Sequence, residues 1–290
     1  MSDVADKDIS PARTTDISSV NVGLFSKNSH CKKALLINNV DIMIKCENIS
    51  IGYGTRVIQH DLSFELRDGE LVALLGANGC GKSTLLRTLA GLQPPLAGTY
   101  SLLSLSGSGL SSLSEQSERS KLIALVLTER LSVESATVRD VVAMGRYPYT
   151  SFLGTLTAAD HRIVDEAMEQ VGVADLADSF YNDHSDGEKQ RILIAKALAQ
   201  QTPVILLDEP TAHLDLPSRI KTLNLLHDIA HEQQKTILIS THELDLALRT
   251  ADRVLLMYPK NQGFILDTPA AIQKGEALRL AFGIDVAAMF

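Results

Sequence analysis

The chain has 290 residues, of which 45% are hydrophobic, and its formal net charge is −8. This length and apolar content suffice for a large packed core, and the acidic balance argues against the broad basic surface that binding of DNA or RNA requires. The three cysteines, Cys31, Cys46 and Cys80, fit neither a disulfide framework nor a zinc-ligand spacing. We therefore expect a cytoplasmic protein with no nucleic-acid partner.

The sequence predicts neither secretion nor a membrane-spanning helix. Its first residues, MSDVADKDIS, are not followed by the apolar core of a signal peptide. The longest apolar runs, such as residues 122–127, have the length of buried strands and fall well short of the about 18 residues that a spanning helix needs. We expect any membrane association to be peripheral.

The first half of the chain predicts an extension followed by strands. Residues 1–40 are rich in Ser, Asn and Asp without a sustained period, which is typical of a flexible N-terminal extension. Nine serines between Ser101 and Ser120 predict an exposed loop with a short helix. A helix is expected at 82–92. Short apolar runs predict strands at 42–50, 56–66, 70–75, 98–104 and 121–127.

The second half predicts helices first and then α/β alternation. Residues from about 130 to 185 carry helical signals, including a capping-box pattern at Thr157 and Asp160, and predict an inserted helical subdomain. Residues 261–290 predict a C-terminal helical segment, which leaves 41–260 as the main domain. Alternating elements predict parallel α/β layering: strands at 203–208, 235–240 and 253–258, and helices at 188–199, 216–232 and 243–251.

Residues 76–84, GANGCGKST, fit the phosphate-loop pattern G-x-x-x-x-G-K-[ST] between a predicted strand and a predicted helix. The glycines let backbone N–H groups face phosphate oxygens, Lys82 is expected to reach the β and γ phosphates, and the Ser83 hydroxyl is suited to Mg²⁺. Cys80 is expected to be a tolerated loop residue. The predicted phosphate-binding residues are Gly76, Asn78, Gly79, Cys80, Gly81, Lys82, Ser83 and Thr84.

A second acidic site follows in VILLDEP at 204–210, a buried parallel strand that ends in two carboxylates. Asp208 is expected to hold Mg²⁺ through water. Glu209 is expected to polarise the attacking water as general base. An acidic strand end is common by itself, so this prediction depends on the phosphate loop.

The segment HSDGEKQR at 184–191 stands just ahead of the acidic strand and opens a helix. Here the chain resembles the ATP-binding cassette ATPases, whose signature motif LSGGQ occupies this place, and the resemblance covers residues 42 to about 260. Ser185 and Gly187 match the pattern, whereas His184, Asp186 and Glu188 depart from it. The resemblance implies a P-loop NTPase (RecA-like) α/β core with an N-terminal antiparallel β region and an inserted α-helical subdomain.

Three further positions match this family. Asp215 in AHLD resembles its D-loop, His242 in ILISTHE resembles the switch histidine that contacts the γ phosphate, and Tyr53 in IGYG resembles the aromatic that stacks on adenine. The family's glutamine after the strand near 127 is replaced by Thr128, with Glu129 beside it. Either oxygen is a candidate Mg²⁺ ligand, and a hinge role for this loop is the alternative.

The segment TVRDVVAMGRYPYTSFLG at 137–154 resembles the subfamily that imports iron siderophores, haem and cobalamin, which carries a GR-x-P element that Arg146 and Pro148 match. A plain helix end with a proline stop is the alternative interpretation. The resemblance implies two permease chains and an external solute-binding protein as partners, and attachment at the cytoplasmic face of the inner membrane.

The function that these resemblances imply is an ATPase that drives a transporter. Two copies would sandwich two MgATP, each held by Lys82 of one chain and the signature of the other, and Glu209 and His242 would act on the γ phosphate. The alternatives are a cassette ATPase of another transporter or exporter, a soluble cassette acting on DNA or ribosomes, and a degenerate module that binds ATP without hydrolysis.

Overall fold

The computed structural model describes residues 42–102, 105–107, 118–128, 133–151, 154–259, 262–274 and 276–283. The predictions for residues 1–40, for much of the serine-rich loop and for Glu129 lie outside these ranges. None of the helices within the ranges is both long and apolar enough to cross a bilayer.

The strands of the described residues form two sheets. They are β1 (Ile42–Tyr53), β2 (Arg56–Arg67), β3 (Leu71–Gly76), β4 (Ala97–Leu102), β5 (Leu105–Gly107), β6 (Ile123–Val126), β7 (Val204–Asp208), β8 (Thr236–Ser240), β9 (Arg253–Met257) and β10 (Phe264–Asp267). The first sheet is antiparallel, in the order β2-β1-β4-β5, and the second has the order β10-β9-β3-β8-β7-β6. The second sheet is parallel apart from β10. The eight predicted strands are confirmed.

Helices cover the second sheet and form the region between β6 and β7. They are α1 (Lys82–Leu89), α2 (Val138–Ala143), α3 (Ala158–Gln170), α4 (Asp186–Ala199), α5 (Leu216–Glu232), α6 (Leu244–Thr250), α7 (Pro269–Lys274) and α8 (Ala277–Phe282). The capping box that the sequence predicts at Thr157 and Asp160 is present, with the Thr157 hydroxyl accepting from the Asp160 N–H. A 3-10 segment, Met144–Tyr149, continues from α2.

Two short strands, β5 and β10, were not predicted from the sequence. The segment 261–290 was expected to be helical, but β10 precedes α7 and α8 and pairs antiparallel with β9, so the sheet extends beyond residue 260. The β5 strand lies in the serine-rich segment that was expected to be a loop, and it pairs with β4. Both strands have four residues or fewer, too few for the alternation of polar and apolar residues to be distinctive.

The apolar side chains of β3 divide between the two faces of the second sheet. Leu71, Ala73 and Leu75 join a core with residues of the helical region and of α4 and α5. Val72 and Leu74 join a second core with residues of β1, β2 and α1. Because successive side chains of a strand point to opposite faces, this strand is buried on both sides and its sequence is apolar throughout.

Arg146 is a buried anchor of the helical region. Its Nε donates to Asp160 Oδ1 (2.9 Å), and its NH1 donates to the Ala199 carbonyl (2.8 Å) and to Gln201 Oε1 (3.1 Å). Its guanidinium also lies over the Tyr149 ring, 4.2 Å from the centroid. The arginine side chain of the GR-x-P element therefore faces the interior of its own chain.

We expect Arg146→Met to lower the free energy of unfolding by about 3 kcal/mol, because it leaves a buried carboxylate without its cation. Hydrogen bonds from Thr157 are the main cause that lowers the pKa of Asp160 to about 2, so this carboxylate stays ionised at neutral pH. Urea unfolding at pH 7 measures the loss. The matched control is Arg162→Met at an exposed position of α3, which should change stability by less than about 0.5 kcal/mol. Equal losses in the two variants would contradict the anchoring role.

Candidate functional site

The phosphate loop and four further predicted site residues, Thr128, Asp208, Glu209 and His242, lie at the carboxyl ends of four neighbouring parallel strands. The order β3-β8-β7-β6 brings the ends of these strands to one edge of the sheet. The phosphate loop follows β3, His242 follows β8, Glu209 follows β7 and Thr128 follows β6. Open α/β sheets bind their ligands at this edge.

The phosphate loop leaves the beginning of α1 open. Gly79 (φ 78°) and Gly81 (φ 109°) have left-handed backbone conformations that glycine adopts without steric cost. Gly81 caps α1 without any side-chain hydrogen bond. In contrast, a side chain caps each of the next four helices, namely Thr137, Thr157, Ser185 and Asp215. The first N–H groups of α1 therefore lack a capping acceptor, which suits them to an anion.

Lys82 supplies a buried positive charge at the same point. Its Nζ donates to the Gly76 carbonyl at 2.9 Å and lies 3.5 Å from the Ala77 carbonyl. The residue is 7% exposed, and none of the ion pairs between described residues includes it. A buried ammonium without a counter-ion is unfavourable, so an anion beside it would be stabilising. A triphosphate fits this charge and the open helix end.

Three other loop positions differ in what they offer. The Ser83 side chain is half-buried and makes no hydrogen bond with other described residues, which leaves its hydroxyl available to a hard cation. Thr84 is buried, and its hydroxyl donates to the Tyr53 hydroxyl (3.3 Å), so the predicted adenine-stacking ring lies beside the loop. The Tyr53 side chain is 49% exposed, as an aromatic platform for a base must be. Asn78 is exposed at the tip of the loop.

Cys80 is a structural residue of the loop. Its thiol is buried in the core beside β1 and β2, and burial raises its pKa. Its N–H donates to the Ala77 carbonyl (3.2 Å), and its own carbonyl accepts from Gln59 Nε2 (3.2 Å). The residue therefore presents neither a thiolate nor a free N–H to a ligand. This agrees with the expectation that Cys80 is a tolerated loop residue. It does not support the inclusion of Cys80 among the phosphate-binding residues.

The two carboxylates that follow β7 have different environments. Asp208 is buried, and the Ser240 hydroxyl donates to its Oδ1 at 2.5 Å. The Glu209 N–H donates to the carbonyl (3.1 Å) and to the hydroxyl oxygen (2.9 Å) of Ser240, and Glu209 has a φ of 49°. A positive φ is uncommon outside glycine and is enriched at functional sites. Ser240, which the sequence analysis did not identify, thus positions both acids.

His242 is close to the second carboxylate. Its Nδ1 lies 3.8 Å from Glu209 Oε1, and the side chain is 53% exposed. Thr128 approaches the first acid through the main chain: its hydroxyl donates to the Asp208 carbonyl oxygen at 2.9 Å. The structure therefore places His242 and Thr128 beside the acidic pair. The hydroxyl proton of Thr128 is already engaged in a hydrogen bond within the protein.

The signature serine is engaged in a capping box. Ser185 precedes α4, its N–H and hydroxyl donate to Glu188 Oε2 (2.9 and 2.7 Å), and its oxygen accepts weakly from the Glu188 N–H. These hydrogen bonds lower the pKa of Glu188. Lys189 donates to the Asn182 carbonyl (2.8 Å), and His184 Nδ1 lies 3.6 Å from Glu188 Oε2. The carboxylate of Glu188 therefore lies at the N-terminus that the signature was expected to offer to a phosphate.

The signature and the D-loop residue do not contact the phosphate loop of their own chain. No hydrogen bond or ion pair between described residues joins Ser185, Gly187 or Asp215 to residues 76–84. Asp215 is exposed and caps α5 by accepting from the Ser218 N–H (3.1 Å). A Cβ added to Gly187 would meet only Leu214, at 3.6 Å, so the surface there is open. Gly187 and Asp215 are therefore accessible to a second molecule, whereas the Ser185 N–H and hydroxyl are engaged with Glu188.

Gln59 is another site residue that the sequence analysis missed. Its buried amide donates to the carbonyls of Cys80 (3.2 Å) and Tyr258 (2.7 Å), and so ties the phosphate loop to the end of β9. It lies in a strand with no motif around it. The signal that could have identified Gln59 is a polar residue at a buried position of a strand.

We expect Lys82→Met to raise the free energy of unfolding without nucleotide by about 1 kcal/mol, because it removes a buried charge that has no counter-ion. The same change should abolish stabilisation by MgATP. Thermal unfolding with and without MgATP measures both effects, and Lys221→Met, at an exposed position of α5, is the control. A destabilised variant that still responds to MgATP would show that Lys82 is a structural residue.

Comparison with known proteins assigns the family. A family model for the ABC transporter matches residues 59–212. A cobalamin import ATP-binding protein of Halobacterium salinarum is 40% identical over 81% of this chain, which spans 57% of that relative. A siderophore transport system ATP-binding protein of Bacillus subtilis is 37% identical over 75% of this chain and 78% of its own length.

The solved structures agree with this assignment. An inward-facing metal-chelate type ABC transporter matches with a TM-score of 0.73 and 30% identity, over 84% of this chain and 90% of the matched one. The sequence motifs, the strand order and the relatives point to the same family. The chain belongs to the ABC transporter family, as an ATP-binding subunit.

Proposed function

We propose that this chain hydrolyses ATP as a homodimer and thereby drives the import of a metal chelate through separate permease subunits. The observation that carries the proposal is an uncapped helix N-terminus and a buried ammonium without a counter-ion after β3, at the same sheet edge as two carboxylates that follow β7, with only β8 between these strands. The first two features bind polyphosphate, and the carboxylates supply a cation ligand and a base.

Each group then has a role in the reaction. Lys82 and the first N–H groups of α1 hold the β and γ phosphates, and Ser83 and Asp208 hold Mg²⁺, which offsets phosphate charge when bound. Glu209 orients and deprotonates the attacking water, and His242 contacts the γ phosphate. Tyr53 stacks on the adenine. The Thr128 hydroxyl proton is engaged with the Asp208 carbonyl. An oxygen lone pair of this hydroxyl is still free to bind Mg²⁺.

The site is completed by a second copy of the chain. Ser185 and Gly187 at the start of α4, together with the exposed Asp215, have no contact with their own phosphate loop, and we propose that they close over the nucleotide of the partner. ATP binding then brings two copies together and hydrolysis separates them.

The names of the relatives support a proposal for the cargo and the partners. Relatives named for cobalamin import and siderophore transport, and a structural neighbour of the metal-chelate type, share this architecture. We propose that the cargo is an iron siderophore, haem or cobalamin, delivered to the permease by an external solute-binding protein. The chain then acts at the cytoplasmic face of the inner membrane, and its exposed Tyr147 belongs to the surface that meets the permease.

We expect Glu209→Gln to lower ATP hydrolysis by at least about 100-fold, because the amide cannot accept the proton of the attacking water. ATP binding should persist, so the variant accumulates as an ATP-bound dimer. Turnover of the purified chain with and without permease, and size measured by light scattering, test this. The exposed Glu169→Gln variant of α3 should behave as wild type.

Three outcomes contradict parts of this proposal. Equal turnover in Glu209→Gln and wild type would remove Glu209 as base. Retained hydrolysis without ATP-dependent dimerisation would remove the two-chain site. A wild type that binds ATP but neither hydrolyses it nor dimerises with its permease present is a non-hydrolysing module, an alternative that Thr128 and Glu188 favour.

We expect Glu188→Gln to lower the ATP concentration required for half-maximal dimerisation by about 2–5-fold. The change removes a negative charge from the N-terminus of α4, and an amide oxygen can still accept from the Ser185 N–H. The measurement is dimer fraction against ATP concentration in the hydrolysis-deficient Glu209→Gln background, with Glu169→Gln as control. An unchanged or higher requirement would show that Glu188 does not face the nucleotide.

A further inference from the structure

A cluster of two histidines and an aspartate lies outside the nucleotide site. His227 and His231 stand one turn apart near the end of α5, and Asp252 immediately precedes β9. Their candidate ligand atoms all lie within 4.8 Å of one another, and the two imidazole centroids are 4.2 Å apart. Within the ranges that the structure describes, this is the one group of three or more His, Cys, Asp or Glu side chains with such spacing.

The orientation of the second histidine is fixed by the backbone. His231 Nδ1 lies 2.8 Å from the His227 carbonyl oxygen, and since a carbonyl can only accept, this nitrogen carries the proton. His231 Nε2 therefore faces Asp252 Oδ1, at 3.2 Å. In a neutral imidazole this Nε2 carries a lone pair directed at a carboxylate, and either a proton or a bound metal cation relieves the repulsion.

Asp252 is likewise positioned by a hydrogen bond to the backbone. Its Oδ2 accepts from the Leu71 N–H at 2.8 Å, which leaves Oδ1 for another partner. A ligand histidine that donates its other N–H to a carbonyl, and a ligand carboxylate that accepts from the backbone, are the usual outer contacts of metal sites. The side chains of His231 and Asp252 are 41% and 34% exposed, so an ion can reach them.

We propose that His227, His231 and Asp252 bind a divalent transition-metal ion of the zinc class. Two imidazole nitrogens and one carboxylate oxygen suit Zn²⁺ and its neighbours in the series, whereas Mg²⁺ and Ca²⁺ prefer oxygen alone. With bonds of about 2.0–2.2 Å, tetrahedral ligand atoms are roughly 3.3 Å apart, so a small rotation of these exposed side chains closes the site. The fourth position is left to water.

The metal site and the nucleotide site lie at opposite ends of the same strand. Leu71, whose N–H holds Asp252, begins β3, and Gly76 ends β3 at the phosphate loop. Six residues of extended chain separate the ends by about 16–20 Å. The bound ion would cross-link the last turn of α5 to the start of β9 without touching ATP. The proposal therefore does not depend on the proposed ATPase activity.

Zinc titration of the full chain, without nucleotide and with a reductant that keeps thiols reduced, tests this site. Calorimetry should detect a Zn²⁺ site in wild type that His227→Asn, His231→Asn and Asp252→Asn each weaken at least about tenfold. His161→Asn, an exposed histidine on α3, should retain it. Zn²⁺ at about 100 times its dissociation constant should raise the wild-type Tm by on the order of 5 °C, and Mg²⁺ should not.

Two results of the zinc titration would contradict the proposal. Absence of zinc binding at millimolar concentration, or zinc binding that the three variants leave intact, would overturn the proposal. The metal-free Tm shows whether each variant folds, and His231→Gln replaces His231→Asn if that Tm falls. Basal ATP turnover should be unchanged in all variants, so loss of zinc binding is distinguishable from failure of the nucleotide site.

Discussion

The parallel pairing of β3, β8 and β7 is the constraint on which the chemistry depends. The register places Ser240 opposite both Leu74 and Asp208, and the serine hydroxyl reaches the aspartate at 2.5 Å. A slip of one residue would turn these side chains to the opposite face of the sheet. Because the strands are buried on both faces, polar groups occur only where the strands end. The distance from phosphate loop to acid is therefore set by the apolar packing that fixes the register.

Two helix N-termini of this chain are expected to bind phosphate, and they are built differently. The start of α1 has no side-chain cap, so its N–H groups are free, at a cost to the intrinsic stability of that helix. The start of α4 carries a complete capping box from Ser185 and Glu188. An acid in the first turn stabilises a helix through its dipole, but it occupies the donors that an anion requires. Helix stability and anion binding therefore compete at α4.

The sequence alone predicted the parts of the structure that a local pattern determines. Apolar runs located eight of the ten described strands, and the phosphate loop was evident from its spacing. What it did not reveal depends on contacts between distant segments. The burial of Arg146 requires Asp160 and the Ala199 carbonyl, 14 and 53 residues away. Ser240 was not identified because it acts through Asp208, which lies on the neighbouring strand. The cluster of two histidines and an aspartate combines the last turns of α5 with Asp252, which lies 21 positions beyond His231.

The arginine anchor also ties the 3-10 segment to the C-terminal end of α4. Arg146 holds the Ala199 carbonyl at the last residue of α4, and the Tyr149 hydroxyl donates to the neighbouring Gln200 carbonyl (2.9 Å), while Ser185 stands at the other end. A helix of 14 residues is a rod of about 21 Å. The exposed tyrosines of the 3-10 segment and the signature serine therefore lie at opposite ends of one helix.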